Sequence, residues 1–346
     1  MARSARRTRS AVTISDVAKA AGVSPMTVSR VINDAHNVRD ATREAVNAVI
    51  RELGYAPNLA ARSLAKAEAI RIGLIYSNPS AAFLSEFLVG VLDETQGEGA
   101  EVALVRCDEG PEAELAALKR LLDGGATGVV LPPPHSESAH MRRALTEAGM
   151  PGAVVGAGRP PEGLICARVD DRQAAADMTR YLLELGHRRI GLIVGAPNQT
   201  SSPERCAGVE AAVAEAPGAW VAYAQGYFDY ASGLSAAESL LGAPEPPTAI
   251  FALNDDMAAA AVSVAHRRGL DVPGDLTVVG FDDTAPAVTL WPALTTVRQP
   301  IRAMAACAVE LLLRRLRGQG EGDALDRVLP HTLVERQSAA PPRRMV

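Results

Sequence analysis

The stretch TISDVAKAAGVSPMTVSRVIN, at residues 13–33, decides how the N-terminal region of this chain folds. Thr13 is a residue type that caps helices, and Asp16 follows it three positions later, at the spacing of a capping box. The apolar residues that follow Thr13 recur at helical spacing, at Ile14, Val17 and Ala18. Gly22 supplies a turn, because its backbone takes positive φ at low cost. The stretch therefore predicts two short helices joined by a tight turn.

The second of these helices begins with strong start signals. Ser24 can cap it, and Pro25 stands at its first position, where a missing N–H costs nothing. Val28, Val31 and Ile32 are predicted to face inward. The side chains left outside are small polar groups, one Arg and one Met: Met26, Thr27, Ser29 and Arg30. This is the layout of a helix-turn-helix, whose second helix begins at the base edges of DNA; the alternative is an ordinary helical hairpin in a core.

A third helix and a linker follow. VRDATREAVNAVIRELGYAPN, at residues 38–58, predicts a helix with Asp40 as its N-cap and Gly54 at its end. The expected buried face of this helix consists of Val46, Val49, Ile50 and Leu53. The next segment, LAARSLAKAEA at residues 59–69, is rich in helix formers but has few apolar anchors. A helix this short is marginal alone in water, so we expect it to fold only when something holds it.

Charge is distributed unevenly along the chain. The 346 residues carry a formal net charge of −5, yet residues 1–71 hold 12 Lys and Arg against 6 Asp and Glu. A basic N-terminal region on an acidic body is what contact with phosphates at one end requires. The arm that contains Arg3, Arg6, Arg7 and Arg9 is either a disordered tail or a segment that tracks DNA. It has no apolar region behind it, so it does not read as a secretory signal.

Other features of composition indicate a protein of the cytoplasm. No stretch approaches the roughly 20 apolar residues that a membrane span needs. The four cysteines are far apart and show no metal-ligand spacing, so we expect reduced and mostly buried thiols: Cys107, Cys166, Cys206 and Cys307.

From residue 70 onward, near-continuous apolar strands alternate with amphipathic helices, which predicts parallel sheets covered on both faces. RIGLI occurs at residues 71–75 and again at 189–193, each time as a strand, so we infer two similar lobes. PALTTVRQP, at residues 292–300, is expected to cross back to the first lobe. The predicted ranges are 70–168 with 299–327 for the first lobe, 169–298 with 328–337 for the second, and disordered tails at 1–12 and 338–346.

The fold class is therefore an α-helical helix-turn-helix headpiece at residues 13–57, a linker at 58–69, and an α/β core of two tandem Rossmann-like lobes. Ligands of such lobes bind beyond the carboxyl ends of the strands, here in the cleft between the lobes. The sequences G-x-S-x-G, H-E-x-x-H and the P-loop are absent, and YSNPS at residues 76–80 lacks the glycines of a nucleotide-binding turn. His135 and His140 read as solvated side chains. We predict no enzyme activity, no metal and no cofactor.

With these parts in place, the chain resembles the lactose/galactose-repressor (LacI/GalR) family of transcription factors from about residue 13 to 337. The segments that carry the resemblance are TISDVAKAAGVSPMTVSRVIN, TREAV, LGYAPNLAARSLA, LELGHRRIGLI, NDDMAAAA, VVGFDD and PALTTVRQP. It implies a homodimer that binds a near-palindromic operator under the control of a small-molecule effector, and repression rather than activation. QSAAPPRRMV, at residues 337–346, has no leucine heptads, so we expect a dimer and not a tetramer.

The resemblance also implies which residues contact DNA. Arg30 matches a position that reads a base in the major groove, and Pro25 and Met26 match two variable reading positions. Thr13, Thr27, Ser29, Asn33 and Tyr55 are expected to hold phosphates, and Asn37 is expected to do either. The segment at residues 59–65 resembles a hinge helix, in which Leu64 is either a wedge in the minor groove or a simple dimer contact. Asn58 and Ala61 complete the expected DNA-contacting set.

In the cleft, Arg205 of SPERCAGVE stands at the place of the ligand-binding Arg of the family, and Asn254 and Asp282 occupy further ligand positions at strand ends. Phe228 matches a ring that stacks on the ligand, with Asp229 beside it as an added polar contact. Phe83 is expected to close the cleft from the first lobe. For Asp282 and Asp283 the alternative is a loop or cap role, and for Phe83 it is ordinary core.

The effector itself is left open between two classes. We expect a mono- or oligosaccharide, with a purine or nucleoside as the alternative, because Phe228 and Arg205 could sandwich and pair a base. Some sugar-binding members carry an acidic residue where this chain has Gly156–Arg159, which argues against a simple galactoside. A solute-binding protein without DNA activity is the remaining alternative, and it would need an export segment.

Overall fold

The computed structural model describes residues 14–32, 39–53, 70–77, 80–108, 110–320 and 322–343. The chain divides into two compact units, Met1–Ala69 and Ile70–Val346. The basic arm and the linker lie outside the described residues. So do seven positions that are expected to contact DNA: Thr13, Asn33, Asn37, Tyr55, Asn58, Ala61 and Leu64.

The first unit contains three described helices, which run in the order α1 (Ile14–Ala21), α2 (Pro25–Ile32) and α3 (Asp40–Leu53). They bury one small apolar core, made of Val17, Ala18, Val28, Val31 and Val46. Ser24 caps α2 as expected, because its Oγ accepts the backbone N–H of Thr27 at 3.1 Å. The cap of α3 differs from the prediction.

Asp40 is the first residue of α3 and not its N-cap. The carbonyl of Arg39 accepts the N–H groups of Thr42 and Arg43, at 2.9 and 3.0 Å, so the helix begins one residue earlier than the sequence indicated. In the sequence, Asp40 marks the expected cap, but the first backbone hydrogen bonds of the helix are accepted by its neighbour Arg39. The boundary of the helix follows these backbone hydrogen bonds.

The second unit contains two six-stranded sheets with the same order of strands. The first sheet runs in the order β2 (Glu101–Arg106), β1 (Arg71–Tyr76), β3 (Gly128–Leu131), β4 (Gly152–Val155), β5 (Ile165–Arg168) and β11 (Asp326–Val328). The second runs in the order β7 (Trp220–Gln225), β6 (Arg189–Val194), β8 (Ala249–Ala252), β9 (Thr277–Asp282), β10 (Thr295–Arg298) and β12 (Thr332–Val334). All described pairings are parallel except β10 with β12.

Helices cover the sheets. Those of the first lobe are α4 (Ala81–Glu98), α5 (Pro111–Asp123), a single 3₁₀ turn (His135–Glu137) and α6 (Ala139–Glu147). Those of the second are α7 (Asp171–Glu184), α8 (Ser201–Ala214), α9 (Tyr230–Leu241), α10 (Asp255–Arg267) and α11 (Ala285–Thr289), and α12 (Ile301–Leu316) returns to the first lobe against α4. The two RIGLI segments form β1 and β6, at equivalent places in the two sheets. The fold class predicted from the sequence is confirmed.

The crossings between lobes differ in detail from the expectation. PALTTVRQP does not leave the second lobe as a whole, because Thr295–Arg298 form β10 of the second sheet. The chain crosses only after that strand. The second lobe is predicted to resume at residue 328, yet Val328 ends β11 of the first sheet, and the chain rejoins the second sheet only at β12. A three-residue strand gives too short a pattern to be recognised in sequence.

The predicted tail at 338–346 is wrong for its first part. Ser338 is fully buried, and its Oγ accepts the N–H of Thr295 at 2.8 Å and donates to the carbonyl of Val278 at 2.5 Å. The carbonyl of Ala340 accepts hydrogen bonds from the Thr277 hydroxyl and from Nε2 of His187, both at 2.9 Å. This terminal segment, Ser338–Ala340, is therefore fastened to the second sheet. In the described part of the chain, no helix is long and apolar enough to cross a bilayer.

Candidate functional site

The outward face of α2 carries the residues that the sequence assigned to base reading. Pro25 and Arg30 are exposed, and Met26 is 63% exposed although its side chain is apolar. Thr27 is half-buried, and its Oγ1 lies 2.9 Å from Oγ of Ser24, so this hydroxyl takes part in the cap of α2. The side chain of Ser29 lies outside the described residues. Met26 and Arg30 stand four positions apart on α2 and therefore lie on the same face of the helix.

The second unit contains a cleft between the two lobes, at the carboxyl ends of the strands of both sheets. The empty space in the cleft and at its open mouth, solvent included, is about 530 Å³. Its lining residues are Ser77, Ser80, Phe83, Leu84, Pro132, Pro133, Gly156, Gln199, Ser201, Arg205, Phe228, Asn254, Asp282 and Gln299. Five of the six residues expected to bind an effector line this cleft, and Asp229 is the exception.

Arg205 lies on α8 and is only 5% exposed. Its Nε donates to Oδ1 of Asp171 at 2.7 Å, and its Nη1 donates to the carbonyl of Leu253 at 2.5 Å. The guanidinium carbon lies 3.6 Å from the centre of the Phe281 ring, which it covers. Two of its five N–H donors are thus committed to the protein, and the planar group is fixed in one orientation with donors left for a ligand.

Asp282 ends β9 and is 4% exposed, with φ at +113°. One carboxylate oxygen, Oδ1, accepts Nε2 of Gln299 at 2.6 Å and lies 4.0 Å from Nη1 of Arg205. Burial raises the pKa of this carboxyl to about 7, against the opposing effects of Arg205 and of the hydrogen bond from Gln299. Its neighbour Asp283 turns away to pair with Arg298 and Arg336, each at 2.6 Å, so it has a loop role.

Asn254 and Phe228 form one assembly at the base of the cleft. Asn254 caps α10, because its Oδ1 accepts the N–H of Met257 at 3.0 Å. Its Nδ2 donates to the carbonyl of Phe228 at 2.9 Å, which holds that residue at φ +64°. The Phe228 ring lies over Gly195, where a Cβ would stand 1.9 Å from the ring. A glycine is therefore required at position 195 for the ring to take its place in the cleft.

Asp229 does not line the cleft, contrary to the expectation. Its Oδ1 accepts the N–H of Ser232 at 2.8 Å and its Oδ2 accepts the Ser232 hydroxyl at 3.0 Å, so it is the N-cap of α9. Asp is among the best capping residues, and the start of a helix directly after it competes with ligand binding for its oxygens.

The first lobe contributes Phe83, and sequence reasoning missed several polar lining residues: Ser77, Ser80, Gln199, Ser201 and Gln299. Ser77 directly follows β1 and Gln299 directly follows β10, so the rule that ligands bind at strand ends could have found both. Ser80, Gln199 and Ser201 begin helices or the turns before them, and no local pattern separates them from ordinary caps.

Hydrogen bonds join the two lobes at the edges of the cleft. The Ser80 hydroxyl donates to Oδ2 of Asp256 at 2.5 Å, and the backbone N–H of Thr200 donates to the carboxylate of Glu137 at 2.8 Å. Gly158 lies so close to the start of α8 that a Cβ there would stand 2.4 Å from the Ser201 nitrogen. Burial raises the pKa of both carboxyls, Asp256 and Glu137.

This close approach involves the segment Gly156–Arg159, which lies between β4 and β5. Gly156 lines the cleft, Gly158 meets the backbone of the other lobe, and Arg159 is exposed with its Nε 2.6 Å from Oε1 of Glu204.

The expectation that His135 is solvated is wrong, because it is 3% exposed and its Nδ1 lies 3.0 Å from Oε1 of Glu114. No group of residues able to hold a metal ion occurs among the described residues.

Comparison with known proteins gives two matches along the chain. Residues 13–58 match the bacterial regulatory proteins of the lacI family, and residues 179–339 match a periplasmic binding protein-like domain. The chain is 32% identical to catabolite control protein A of Priestia megaterium over 330 residues, which cover 94% of this chain and 99% of that protein. It is 34% identical to the HTH-type transcriptional repressor PurR of Klebsiella pneumoniae (strain 342) over 333 residues, 95% of this chain and 97% of that protein.

Two solved structures are similar over nearly the whole chain. One is the Lac repressor dimer bound to operator and the anti-inducer ONPF, with a TM-score of 0.79 and 29% identity over 96% of this chain and 100% of that one. The other is the complex of the transcriptional regulator CelR with cellobiose, with a TM-score of 0.70 and 32% identity over 95% of this chain and 100% of that one.

Proposed function

Because the chain belongs to the lacI family of bacterial regulatory proteins, we propose that it is a cytoplasmic repressor that binds a palindromic operator as a homodimer and responds to a small molecule in the cleft between its lobes. Membership of the family makes the chain a DNA-binding transcriptional regulator and not an enzyme. The operator symmetry, the dimer and the effector are the proposal.

The observation that carries the effector proposal is the cleft itself. It brings two phenyl rings, one from each lobe, together with the buried side chains of Arg205, Asn254 and Asp282. An apolar cavity with a few convergent polar groups is the usual form of a small-molecule site. Neighbouring donors and acceptors fixed by the protein suit the adjacent hydroxyls of a sugar, and the similar regulator CelR forms a complex with cellobiose.

A purine or nucleoside is the alternative effector. Phe83 and Phe228 line the same cavity from opposite lobes, an arrangement that also suits a flat heterocycle. Three serines and two glutamines also line the cleft. Their hydroxyl and amide groups match the many hydroxyls of a sugar better than the faces of a flat ring, so we favour the sugar.

The proposed contacts to DNA follow the exposed face of α2. Arg30 is proposed to read a guanine through its fork of donors, while Pro25 and Met26 contact apolar base edges such as a thymine methyl. Thr27 and Ser29 are proposed to position the helix on phosphates. The matching roles of Thr13, Asn33, Asn37, Tyr55, Asn58, Ala61 and Leu64 are proposals for residues that the structure does not describe.

The homodimer is supported by large apolar side chains that remain exposed. In the second lobe they follow the edge strand β7 and its turn and stand near α11: Trp220, Tyr223, Tyr227, Tyr230, Val288 and Trp291, the last 79% exposed. In the first lobe they lie on α4, on the edge strand β2 and on α5: Leu92, Leu104 and Leu115. We propose that the second subunit covers part of this exposed apolar surface.

The test combines DNA selection with a ligand screen. We expect the purified protein to enrich palindromic fragments from a random duplex library at moderate salt. We expect sugars to raise its melting temperature more than nucleosides, because a ligand that binds only the folded state stabilises it. Failure to prefer any fragment over bulk competitor, with and without the compounds, would overturn the proposal, and a shift with purines alone would replace the sugar.

A further inference from the structure

The charges around the cleft do not balance. Among the lining residues that the structure describes, Arg205 is the one cation and Asp282 the one anion. Arg205, however, is hydrogen-bonded to a second carboxylate, Asp171, which is 3% exposed. One guanidinium therefore faces two buried carboxylates, and it bonds directly to Asp171 and not to Asp282, which stands 4.0 Å from Nη1. Buried charges without a full partner are costly.

Three helix N-termini at the cleft, those of α8, α9 and α10, do not supply the missing positive charge, because each already has a carboxylate of its own. The N-terminus of α4, which follows Ser80 in the first lobe, has no acidic residue in its first turn. The N-terminus of α8 has Glu137, which accepts the N–H of Thr200. That of α10 has Asp255 and Asp256 in its first turn, and that of α9 is capped by Asp229. The favourable ends of these three helix dipoles are thus matched before Asp282 is considered, and the N-terminus of α4 meets Asp256, whose Oδ2 accepts the hydroxyl of the capping Ser80.

The contacts of Asp282 also indicate a buried carboxylate without a full positive partner. Its described hydrogen bond comes from Gln299, a neutral amide. Burial raises its pKa most, with further increases from Asp256 on α10 and Asp171 on α7, while Arg205 on α8 and the hydrogen bond from Gln299 oppose them. The fully buried Asp255 on α10 is a third carboxyl beside this pair, and burial together with Asp282 raises the pKa of Asp255 as well. In the empty cleft, a proton on Asp282 reduces the imbalance. A bound cation would do the same without the proton.

We infer that the effector is a polyhydroxylated molecule that carries an amine, and that its ammonium group pairs with Asp282 while Arg205 and Asn254 bind its hydroxyls. This rests on the proposed function, since it names the chemical class of the effector in the same cleft. We expect anionic sugars such as phosphate esters or uronic acids to bind weakly, because they would add negative charge beside two buried carboxylates.

The experiment uses matched sets of compounds on three hexose skeletons: glucose, galactose and mannose, each as the parent sugar, the 2-amino sugar, its N-acetyl derivative and the 6-phosphate. The full-length protein is examined by thermal shift and then by titration calorimetry. We expect an amino sugar of at least one skeleton to bind on the order of 10- to 100-fold more tightly than its parent and its N-acetyl derivative, as charge-assisted hydrogen bonds predict. The phosphates should not bind measurably.

Proton release supplies a second readout. At pH 7, an ammonium group that pairs with Asp282 displaces the proton that this carboxyl partly holds. The calorimetric enthalpy for the amino sugar should therefore differ between phosphate and MOPS buffers by the signature of a released proton. At pH 8.5 Asp282 has no proton left to release, and the amine of the sugar, which titrates near pH 8 as an α-amino group does, must take up a proton to bind as the ammonium. The buffer dependence of the enthalpy should therefore reverse its sign.

Two variants locate the effect. Asp282→Asn should remove the preference of the amino sugar over its parent and abolish the proton release. Asp123→Asn makes the same change at an exposed carboxylate that pairs with Lys119, and should alter neither the preference nor the proton release.

Equal binding of parent and amino sugars, stronger binding of a phosphate, or no binding of any amino sugar would overturn the inference. In the first two cases the sugar-responsive cleft stands; silence of every compound class, nucleosides included, together with unchanged operator affinity, would count against the proposed function itself.

Discussion

Arg205 gives two of its N–H groups to the protein, one to Asp171 and one to the carbonyl of Leu253, and it stacks on the ring of Phe281. It is therefore part of the core of the second lobe as well as a proposed ligand-binding residue. Sequence alone placed it in the cleft because of its motif, but could not reveal Asp171, which lies 34 positions away along the chain. The partner appears only once α7 and α8 pack together.

We predict that Arg205→Met lowers the free energy of unfolding by about 3–5 kcal/mol, because it leaves Asp171 and Asp282 buried without their cation. Denaturant unfolding measures the change. The double variant Arg205→Met with Asp171→Asn should recover part of the loss, since one stranded charge is then removed. If the single variant is as stable as the wild type, the ion pair has no structural weight.

Asp282 gives a prediction about pH. Its pKa in the folded protein is raised from the ordinary 3.8 to about 7, so the folded state holds its proton more tightly than the unfolded chain does. The stabilisation is present at pH 4 and is lost as the pH rises toward 7. Asp282→Asn cannot titrate, so its stability relative to the wild type should increase from pH 4 to pH 7 and then level off. A difference that stays constant with pH would contradict the raised pKa.

At the scale of elements, the sequence predicted most helices and strands because their apolar periodicity is strong. It failed where another demand on the same residues was stronger. Asp229 matched a ligand position, yet the helix that begins at Tyr230 uses its carboxylate as a cap. The segment Ser338–Ala340 has a composition typical of a tail, yet hydrogen bonds to β9 and β10 hold it.

The cap of α2 can be tested directly. Ser24→Ala removes the acceptor for the N–H of Thr27 and should destabilise the headpiece by about 1 kcal/mol, as loss of a helix cap usually does. Because α2 presents Arg30, operator affinity should fall with it. Ser24→Asp keeps an acceptor at the same place and should restore the stability; if it does not, the cap is not the cause.

The terminal segment gives a matching prediction for the second sheet. Ser338→Ala leaves the buried N–H of Thr295 and the carbonyl of Val278 without their side-chain partner, and should cost about 1–3 kcal/mol. Ser338→Thr keeps the hydroxyl and serves as the comparison. Thermal unfolding of the full chain measures both variants, and equal melting temperatures for Ser338→Ala and the wild type would return this segment to the status of a tail.

At the scale of the whole molecule, the repeat of RIGLI and the alternation of strands and helices predicted two lobes and a cleft between them. What the sequence could not provide is how the lobes meet. Gly158 approaches the backbone of Thr200 and Ser201 so closely that a Cβ would stand 2.4–2.6 Å from their atoms. The neighbouring N–H of Thr200 donates to Glu137 across the same contact. Backbone contacts of this kind leave no pattern beyond a single glycine.

We therefore predict that Gly158→Ala forces the lobes apart at this edge, because the added methyl group meets backbone atoms that cannot turn aside. The amide of Thr200 should lose its hydrogen bond to Glu137, and its hydrogen exchange, followed by mass spectrometry of the peptide that contains it, should become faster. Gly97→Ala is the control, since a Cβ at that position on α4 meets nothing within 4 Å, and it should leave the exchange of Thr200 unchanged. If both variants exchange at the wild-type rate, the contact between Gly158 and α8 does not hold the cleft closed, and closure must depend on Ser80 and Asp256 at its other edge.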